Sequence, residues 1–418
     1  MTKRIPAAGL ALLLTGYVGS VRQVPEQRPE TVLTVLYGQS TSDPGLEDML
    51  TEKLGADFPE VIMEWESVDW GEHFSSELQA KIASGEVPDL IIGKAQDVAG
   101  YQHSGYLAPF GSAFAGYIRP EGLSSVTIEG QVYGLPYNAL YQGVLYNKNI
   151  FWRYGLTPPA TLEEMETLVQ RLEAAGVVPF ATHFRENWYV GNIIMQFAVN
   201  QVFSHTPDWG DQFRAGAVSF STSEDYAACM EQVGALLERS WPDALTVNQS
   251  ESDKRFAEER AAMYLTGSWS VQAIQAIRPQ MQVGIFPYPN GDGTAKLLFE
   301  PNITFMKNAQ SSQAGLVDEI ILSLLGDAEL ARTVYAFTQT ESMLDGVDAD
   351  SLGLIKPEIE GYKQENRVVD VTVGNSQLVW QFQDNCATQL YNWLEGKADL
   401  ADVLQYADDN RVESGGFS

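Results

Sequence analysis

Residues 31–37 read TVLTVLY, a run rich in β-branched residues that predicts the first strand of the chain. A helix is predicted over 43–54, and residues 61–65 predict a second strand. An amphipathic helix over 70–84 and a short buried strand over 89–92 follow. Because strands alternate with helices, we expect parallel β-α-β units and an α/β fold. No glycine-rich fingerprint follows the first strand, which disfavours a dinucleotide site.

The next elements continue this alternation. Strands are predicted over 131–135 and 143–146, with a link over 136–142 between them. Thr161 is expected to cap a helix that extends to residue 175, with Glu164 three positions later completing a capping box. A length of 418 residues corresponds to two or three domains of ordinary size.

The composition is strongly acidic. The chain has 26 Lys plus Arg against 55 Asp plus Glu, a formal charge of −29. We therefore expect no nucleic acid and no anionic lipid as partner, because both bind basic surfaces. The sequence has no H-E-x-x-H, Walker A or G-x-S-x-G motif, and we expect neither a metal nor another cofactor. Cys229 and Cys386 are too few for a disulfide framework and are expected to be two buried thiols or, alternatively, one bridge.

The first residues resemble an export signal. Two basic residues precede an apolar run over 5–14, which is too short to span a bilayer. Residues 14–17, LTGY, resemble the lipobox of bacterial lipoproteins, but Tyr17 stands where that motif has its lipidated Cys. Tyrosine has no thiol, so the segment is either an altered lipobox or an ordinary signal peptide. We expect residues 1–30 to be a leader and stalk, and the protein to be exported to the outer face of the cytoplasmic membrane, the periplasm or the medium.

Several segments, taken in order, resemble family 1 of the extracellular solute-binding proteins, the sugar-binding subunits of bacterial ABC importers that include maltose-binding protein. The segments are GEVPDLII (85–92), YQHSGYLAPF (101–110), GQVYGLP (130–136), LYNKNIF (145–151), GLTPPAT (155–161), FAEERAAMYLTGSW (256–269), VGIFPYP (283–289) and WLEG (393–396). Their order and spacing cover most of residues 31–410. Each is weak alone, and together they are specific for the family but not for the ligand.

The resemblance implies a two-lobed periplasmic-binding-protein fold of the type II kind, with a ligand cleft between α/β lobes joined by crossing segments. The passages are expected near 137–142, 286–289 and 326–340. The first lobe would then contain residues 31–138 and 288–330. The second lobe would contain residues 139–287 and 331–418.

The composition is consistent with a carbohydrate site, since aromatic residues make up 11% of the chain. A sugar ring presents C–H faces that aromatic rings cover and hydroxyls that planar polar groups bind. The resemblance implies that Trp269 packs against the sugar, with Gly267 allowing close approach. It also implies ligand contacts from Trp188, Glu186 and Asp97. The alternatives are core positions for the two tryptophans, a solvated charge for Glu186 and a helix N-cap for Asp97.

Further candidates for ligand contact lie near a strand end, at the start of a helix or on a predicted passage between the lobes. They are Gln39, Ser40, Trp70, Tyr137, Asn138, Glu300 and Asn302. Gln39 and Ser40 end the first strand, where the cleft edge of an α/β sheet lies, although they could be plain turn residues. Trp70 could equally staple the helix that follows it.

These features predict the substrate-capture protein of an ABC importer, which binds a mono- or oligosaccharide, closes by a hinge motion and delivers it to the membrane permease. No catalytic residue is predicted, and we expect a monomer. One alternative keeps the fold but binds a uronic acid, a peptide or a polyamine; an anionic ligand would need Lys94, Arg119 or Arg185 in the cleft. The other is a secreted glycosidase, which needs two carboxylates about 5–9 Å apart.

Overall fold

The computed structural model describes residues 31–39, 45–70, 74–348, 351–374 and 378–411. The predicted leader over 1–30, including Tyr17, and the candidate Ser40 lie outside these ranges. Within the described residues, the chain forms two main sheets, each covered by its own helices. We call the half of the protein built on the first sheet the first lobe, and the other half the second lobe.

The first lobe is built around the strand predicted at 31–37. Among the described residues its sheet has five strands, in the order Val61–Asp69, Thr31–Gln39, Leu90–Gly93, Thr304–Lys307 and Leu135–Pro136. The first three are parallel, and the fourth is antiparallel to both neighbours. Leu36 and Tyr37 belong to two different buried cores, because successive side chains of a strand point to opposite faces. The helices of this lobe are Leu46–Asp57, Phe74–Ser84, Val98–His103, Ser112–Ala115, Pro120–Leu123, Ala314–Gly326 and Ala328–Thr338.

The second lobe is built around the long strand Asn138–Asn147. It pairs with Leu297–Pro301, Ala261–Gly267, Val283–Phe286 and Glu341–Ser342, all antiparallel to it. Val368–Asp370 and Val178–Ala181 extend the sheet at its two edges. The helices of this lobe are Lys148–Tyr154, Leu162–Ala174, Asn187–Ala198, Trp209–Arg214, Glu224–Glu238, Gln249–Ala257, Trp269–Ile277, Lys356–Gln364, Leu378–Leu394 and Leu400–Asp409. Their apolar faces share one large buried core with the sheet.

The predicted α/β fold is confirmed, and so is the helix cap by Thr161, although the predicted capping box is shifted by one residue because the Glu164 carboxylate binds the backbone N–H of Ala160 and not that of Thr161. The hydroxyl of Thr161 accepts a hydrogen bond from the Glu164 backbone N–H at 3.2 Å, while the Glu164 carboxylate reaches back to the Ala160 N–H at 2.7 Å. The predicted link over 136–142 is wrong, since most of it belongs to the strand Asn138–Asn147. Both faces of that strand are buried, so its sequence lacks the alternation of polar and apolar residues that marks a half-exposed strand.

Asn138 joins the segments that pass between the lobes. Its Nδ2 donates to Thr340 Oγ1 at 3.0 Å, and its Oδ1 accepts from the Ile303 backbone N–H at 2.9 Å. Its backbone carbonyl accepts from the Asn302 N–H at 2.9 Å. Asn138 is fully buried, so these bonds are formed away from water and fix the three segments to one another.

The later passages lie further along the chain than predicted. The strand Leu297–Pro301 pairs with Asn138–Asn147 of the second lobe, although residues 288–330 were expected in the first. The helix Ala328–Thr338 packs in the first core, although residues 331–418 were expected in the second. The first of these differences arises because residues 290–294 form a polar turn that returns the chain to the central strand. The division of the chain into lobes stays a proposal, with its bounds adjusted to this strand pairing.

Candidate functional site

Two tryptophan rings lie directly over glycines at the ends of strands. Gly267 ends the strand Ala261–Gly267, and a Cβ atom added there would overlap the ring of Trp269. Gly38 lies next to the end of the first strand, and a Cβ atom there would overlap the ring of Trp70. Each lobe therefore uses the missing side chain of a glycine to hold a half-buried indole ring against its own backbone.

A second indole extends the aromatic surface of the second lobe. Trp188 lies in the first turn of the helix Asn187–Ala198 and is half-buried. Its ring packs edge to face against Trp269, with ring centroids 6.2 Å apart. Edge-to-face contact is the favoured arrangement of aromatic pairs, so each ring fixes the orientation of the other.

A chain of polar contacts extends from the Trp70 ring of the first lobe to the central strand of the second lobe. Lys94 follows the strand Leu90–Gly93, and its Nζ lies 5.7 Å from the centre of the Trp70 ring and 3.0 Å from Glu300 Oε1. The second carboxylate oxygen of Glu300 accepts a hydrogen bond of 2.6 Å from Gln142 Nε2. Gln142 is paired in register with Gly267, the glycine beneath Trp269.

The structure thus brings four predicted ligand contacts into one region between the lobes, together with Lys94, the cation considered for an anionic ligand, and it adds Gln142. We call this set the interlobe site; its members are Trp70, Lys94, Gln142, Trp188, Trp269 and Glu300. Gln142 was missed because it lies in the misassigned link. A polar residue in an otherwise apolar run, NALYQGVLY, was the signal that could have indicated it.

Three buried polar atoms at or near the interlobe site lack a hydrogen-bond partner within the described part of the chain. Among the described residues, the buried atoms Gln142 Oε1, Trp269 Nε1 and Asn302 Oδ1 have no hydrogen-bond partner within the protein. Leaving such an atom unpaired costs about 1–3 kcal/mol. An occupant that offers hydroxyl donors and acceptors would recover part of that free energy.

Three other predicted residues are occupied by contacts inside the protein. Tyr137 is buried in the first core between Phe305 and Tyr335, at centroid distances of 5.6 and 5.4 Å, and burial raises its pKa. Asn138 joins the crossing segments. Glu186 Oε2 lies 2.5 Å from His183 Nδ1 and accepts from the Gln249 backbone N–H at 2.7 Å. A ligand role for any of them stays a prediction that their burial or bonding disfavours.

The remaining candidates lie near the end of the first-lobe sheet. Asp97 is half-buried at the start of the helix Val98–His103, and its side chain makes no capping hydrogen bond to that helix. Gln39 ends the first strand and is paired in register with Asp69, the residue before Trp70. A ligand contact from Asp97 or Gln39 therefore stays a prediction.

Behind Trp188 lies a buried group of titratable side chains. His183 has no exposed surface and stacks on Tyr189 at a centroid distance of 3.7 Å, while its ring lies 5.0 Å from that of Trp188. Burial lowers the pKa of His183, although the Glu186 carboxylate opposes that effect. Burial also raises the pKa of Asp253 to about 7, in spite of the nearby hydroxyls of Tyr264 and Ser270. Asp253 is therefore the group behind the aromatic surface whose protonation changes near neutral pH.

The Asp253 carboxyl should make stability depend on pH. Its pKa is near 3.9 in the unfolded chain and about 7 in the folded one, so between these values only the folded state holds the proton. The free energy of unfolding contributed by this group therefore falls as pH rises from about 4 to 7. As the pH rises from about 5 to 8, the free energy of unfolding of Asp253→Asn should increase by about 2–3 kcal/mol relative to that of the wild type. Denaturant unfolding at several pH values measures this difference. The exposed Asp345→Asn is the control, and parallel pH curves for Asp253→Asn and the wild type would contradict the prediction.

A separate cavity of about 400 Å³ lies on the other side of the central strands. Tyr141 and Phe299 line it, and they alternate along their strands with Gln142 and Glu300, so the two pairs face opposite sides of the sheet. Its other walls are Glu121, Ser124, Lys363, Asn366, Val368, Val369 and Asp370. We call it the back cavity.

Other chemical features are few. Within the part of the chain that the structure describes, no group of three or more His, Cys, Asp or Glu side chains is placed to hold a metal ion. Cys229 and Cys386 are buried free thiols, and burial raises the pKa of each to about 12. None of the described helices is both long and apolar enough to cross a membrane.

Sequence comparison relates the chain to sugar-binding proteins. The multiple sugar-binding protein of Streptococcus mutans is 26% identical over 222 residues, which cover 51% of this chain and 52% of that protein. The melibiose/raffinose/stachyose-binding protein of Bacillus subtilis is 24% identical over 238 residues, 52% of each chain. The chain thus spans about half the length of the relatives it matches.

Structural comparison covers nearly the whole chain. A chitin oligosaccharide binding protein superimposes with a TM-score of 0.79 at 17% identity, covering 93% of this chain and 100% of that one. A sugar transporter protein of Bacillus licheniformis, solved with stachyose, superimposes with a TM-score of 0.76 at 17% identity, covering 92% of this chain and 100% of that one. These similarities show a shared two-lobed fold. The sequence pattern of the family itself matches residues 37–321, and the chain therefore belongs to the bacterial extracellular solute-binding proteins.

Proposed function

We propose that this protein captures a mono- or oligosaccharide between its lobes and delivers it to the permease of an ABC importer. The observation that carries the proposal is the interlobe site, where indole rings seated on glycines flank a chain of ammonium, carboxylate and amide groups. Indole faces suit the C–H faces of a sugar, and the polar groups suit its hydroxyls. The names of the related proteins, which bind multiple sugars, raffinose or stachyose, support the same ligand class.

The two lobes would close on the sugar by a hinge motion. Trp70 and Lys94 come from the first lobe, whereas Gln142, Trp269 and Glu300 come from the second, so a ligand bound to both sets holds the lobes together. The segments joined by Asn138 would act as the hinge. Hinge closure of this kind traps the ligand and excludes water.

The wider biological setting follows from the family. We propose export to the outer face of the membrane, contact of both lobes with the transmembrane subunits of the importer, and function as a monomer. We also propose that the protein performs no catalysis, since its task would be complete when the bound sugar is released unchanged.

The test is a binding panel on the whole protein. Galactose, melibiose, raffinose, stachyose, maltotriose, chitobiose and xylobiose are added separately, and the melting temperature and the heat of binding are measured. A sugar present at 100 times its Kd should add about 2.7 kcal/mol to the free energy of unfolding. Chromatography after long incubation should recover each sugar intact. If no sugar of the panel changes either signal, the carbohydrate proposal fails; if shorter sugars appear, the non-catalytic role fails.

A further inference from the structure

We infer that Glu300 makes the interlobe site selective for neutral sugars by cancelling the charge of Lys94. This inference rests on the proposed function, because it names the chemical class of sugar that the same site accepts. It assigns Glu300 and Lys94 to specificity and leaves the sugar-ring contacts to the tryptophans.

The two charges are held together and partly removed from water. The Lys94 ammonium lies 3.0 Å from Glu300 Oε1, with side-chain exposures of 19% for Lys94 and 1% for Glu300. Glu300 Oε2 is engaged as well, because it accepts from Gln142 Nε2 at 2.6 Å. An ion pair with this little exposure is weakly screened by salt, so each partner strongly reduces the field of the other.

The two other cations considered for an acidic ligand, Arg119 and Arg185, lie elsewhere. Arg119 donates to Asp348 at 2.7 Å and to the backbone carbonyls of Leu344 and Val347, each at 3.2 Å. Arg185 is exposed on the loop before Trp188. Of the three cations considered from the sequence, only Lys94 belongs to the interlobe site, and Glu300 neutralises it.

A sugar carboxylate at this site would therefore meet a buried carboxylate beside the cation it needs. It would have to displace Glu300 from Lys94, which leaves Glu300 buried without its partner, or accept the repulsion of a like charge. A hydroxyl faces neither penalty, because it can donate to Glu300 and accept from Lys94 without adding charge. The Lys94–Glu300 pair thus favours neutral sugars by attracting their hydroxyls and disfavours acidic sugars by repelling their carboxylates.

The variant Glu300→Gln tests the inference with little change in shape. A glutamine has one oxygen to accept from Lys94, and its amide would face Gln142. Gln142 Oε1 has no partner within the described residues, so rotation of the Gln142 amide would let that oxygen accept from the new amide. The hydrogen bonds can be kept while the negative charge is lost.

The experiment compares matched neutral and acidic sugars. Binding of galactose against galacturonic acid, glucose against glucuronic acid and cellobiose against cellobiouronic acid is measured by calorimetry at low and high salt. The wild type should prefer the neutral member by about tenfold or more. Glu300→Gln should improve the affinity for the acidic member, relative to its neutral counterpart, by about tenfold or more, and most of the gain should persist in high salt because the site is little exposed. The double variant Lys94→Gln, Glu300→Gln is the control that should lose this gain.

The outcomes separate the inference from the proposed function. A wild type that binds an acidic sugar as well as its neutral counterpart overturns the inference, even if Glu300→Gln fails to fold. A wild type that binds neutral sugars, with a folded Glu300→Gln that gains nothing for acids, also overturns it and leaves sugar capture intact. If neither protein binds any sugar, the proposed function fails, and the inference fails with it.

Discussion

Replacing Trp269 with alanine is expected to weaken sugar binding by about thirtyfold or more, which corresponds to about 2 kcal/mol. Its indole lies over Gly267 at the junction of the lobes and packs against Trp188. The variant removes the ring that would cover the sugar face, and it also removes one of the edge-to-face contacts of Trp188, which keeps the one with Tyr189. Large aromatic side chains at the centre of a binding site commonly dominate its affinity.

Calorimetry with the best sugar of the panel measures this loss. Trp152→Ala is the matched control, because Trp152 is 86% exposed on the helix Lys148–Tyr154 and belongs to no part of the interlobe site. The control should bind like the wild type. Equal affinities for Trp269→Ala and the wild type would remove the main support for the proposed ligand position.

Replacing Gly267 with alanine should reduce binding almost as much as the loss of the ring itself. The added Cβ would overlap the Trp269 ring, so the indole has to leave its position even though no ligand-contacting atom is removed. An alanine is ordinarily better than glycine within a strand, by roughly 0.5–1 kcal/mol. A loss of about tenfold or more in affinity would therefore report the displaced ring.

The control for Gly267→Ala is Gly55→Ala. Gly55 lies in the helix Leu46–Asp57 with nothing within 4 Å of the added Cβ, so this variant should bind normally and gain up to about 1 kcal/mol of stability. Tryptophan fluorescence of Gly267→Ala should differ from that of the wild type before sugar is added. Unchanged fluorescence and unchanged affinity together would show that the ring does not depend on this glycine.

Local sequence patterns predicted much of the first lobe. The β-branched run at 31–37 is a strand that extends to Gln39, and the helix predicted over 70–84 begins at Phe74. Such elements can be recognised because one face is apolar and the other polar, or because capping residues mark their ends. The family resemblance also indicated Trp269 and Trp188, which the structure places in contact.

Features that depend on contacts distant in sequence were not predicted. The strand Asn138–Asn147 is buried on both faces, so periodicity could not separate it from a link. The Lys94–Glu300 pair joins residues 206 positions apart, and no local pattern encodes such a contact. Gln142 became a site residue only because its strand is paired with the one that ends at Gly267.

Sugar capture between the lobes is tested most directly by a crystal structure of the protein with the neutral sugar that binds most tightly in the panel. We expect a sugar ring against Trp269, hydroxyls within hydrogen-bond distance of Lys94, Gln142 or Glu300, and contacts from both lobes. A sugar bound instead in the back cavity beside Tyr141 and Phe299, or on the outer surface of one lobe, would contradict this expectation.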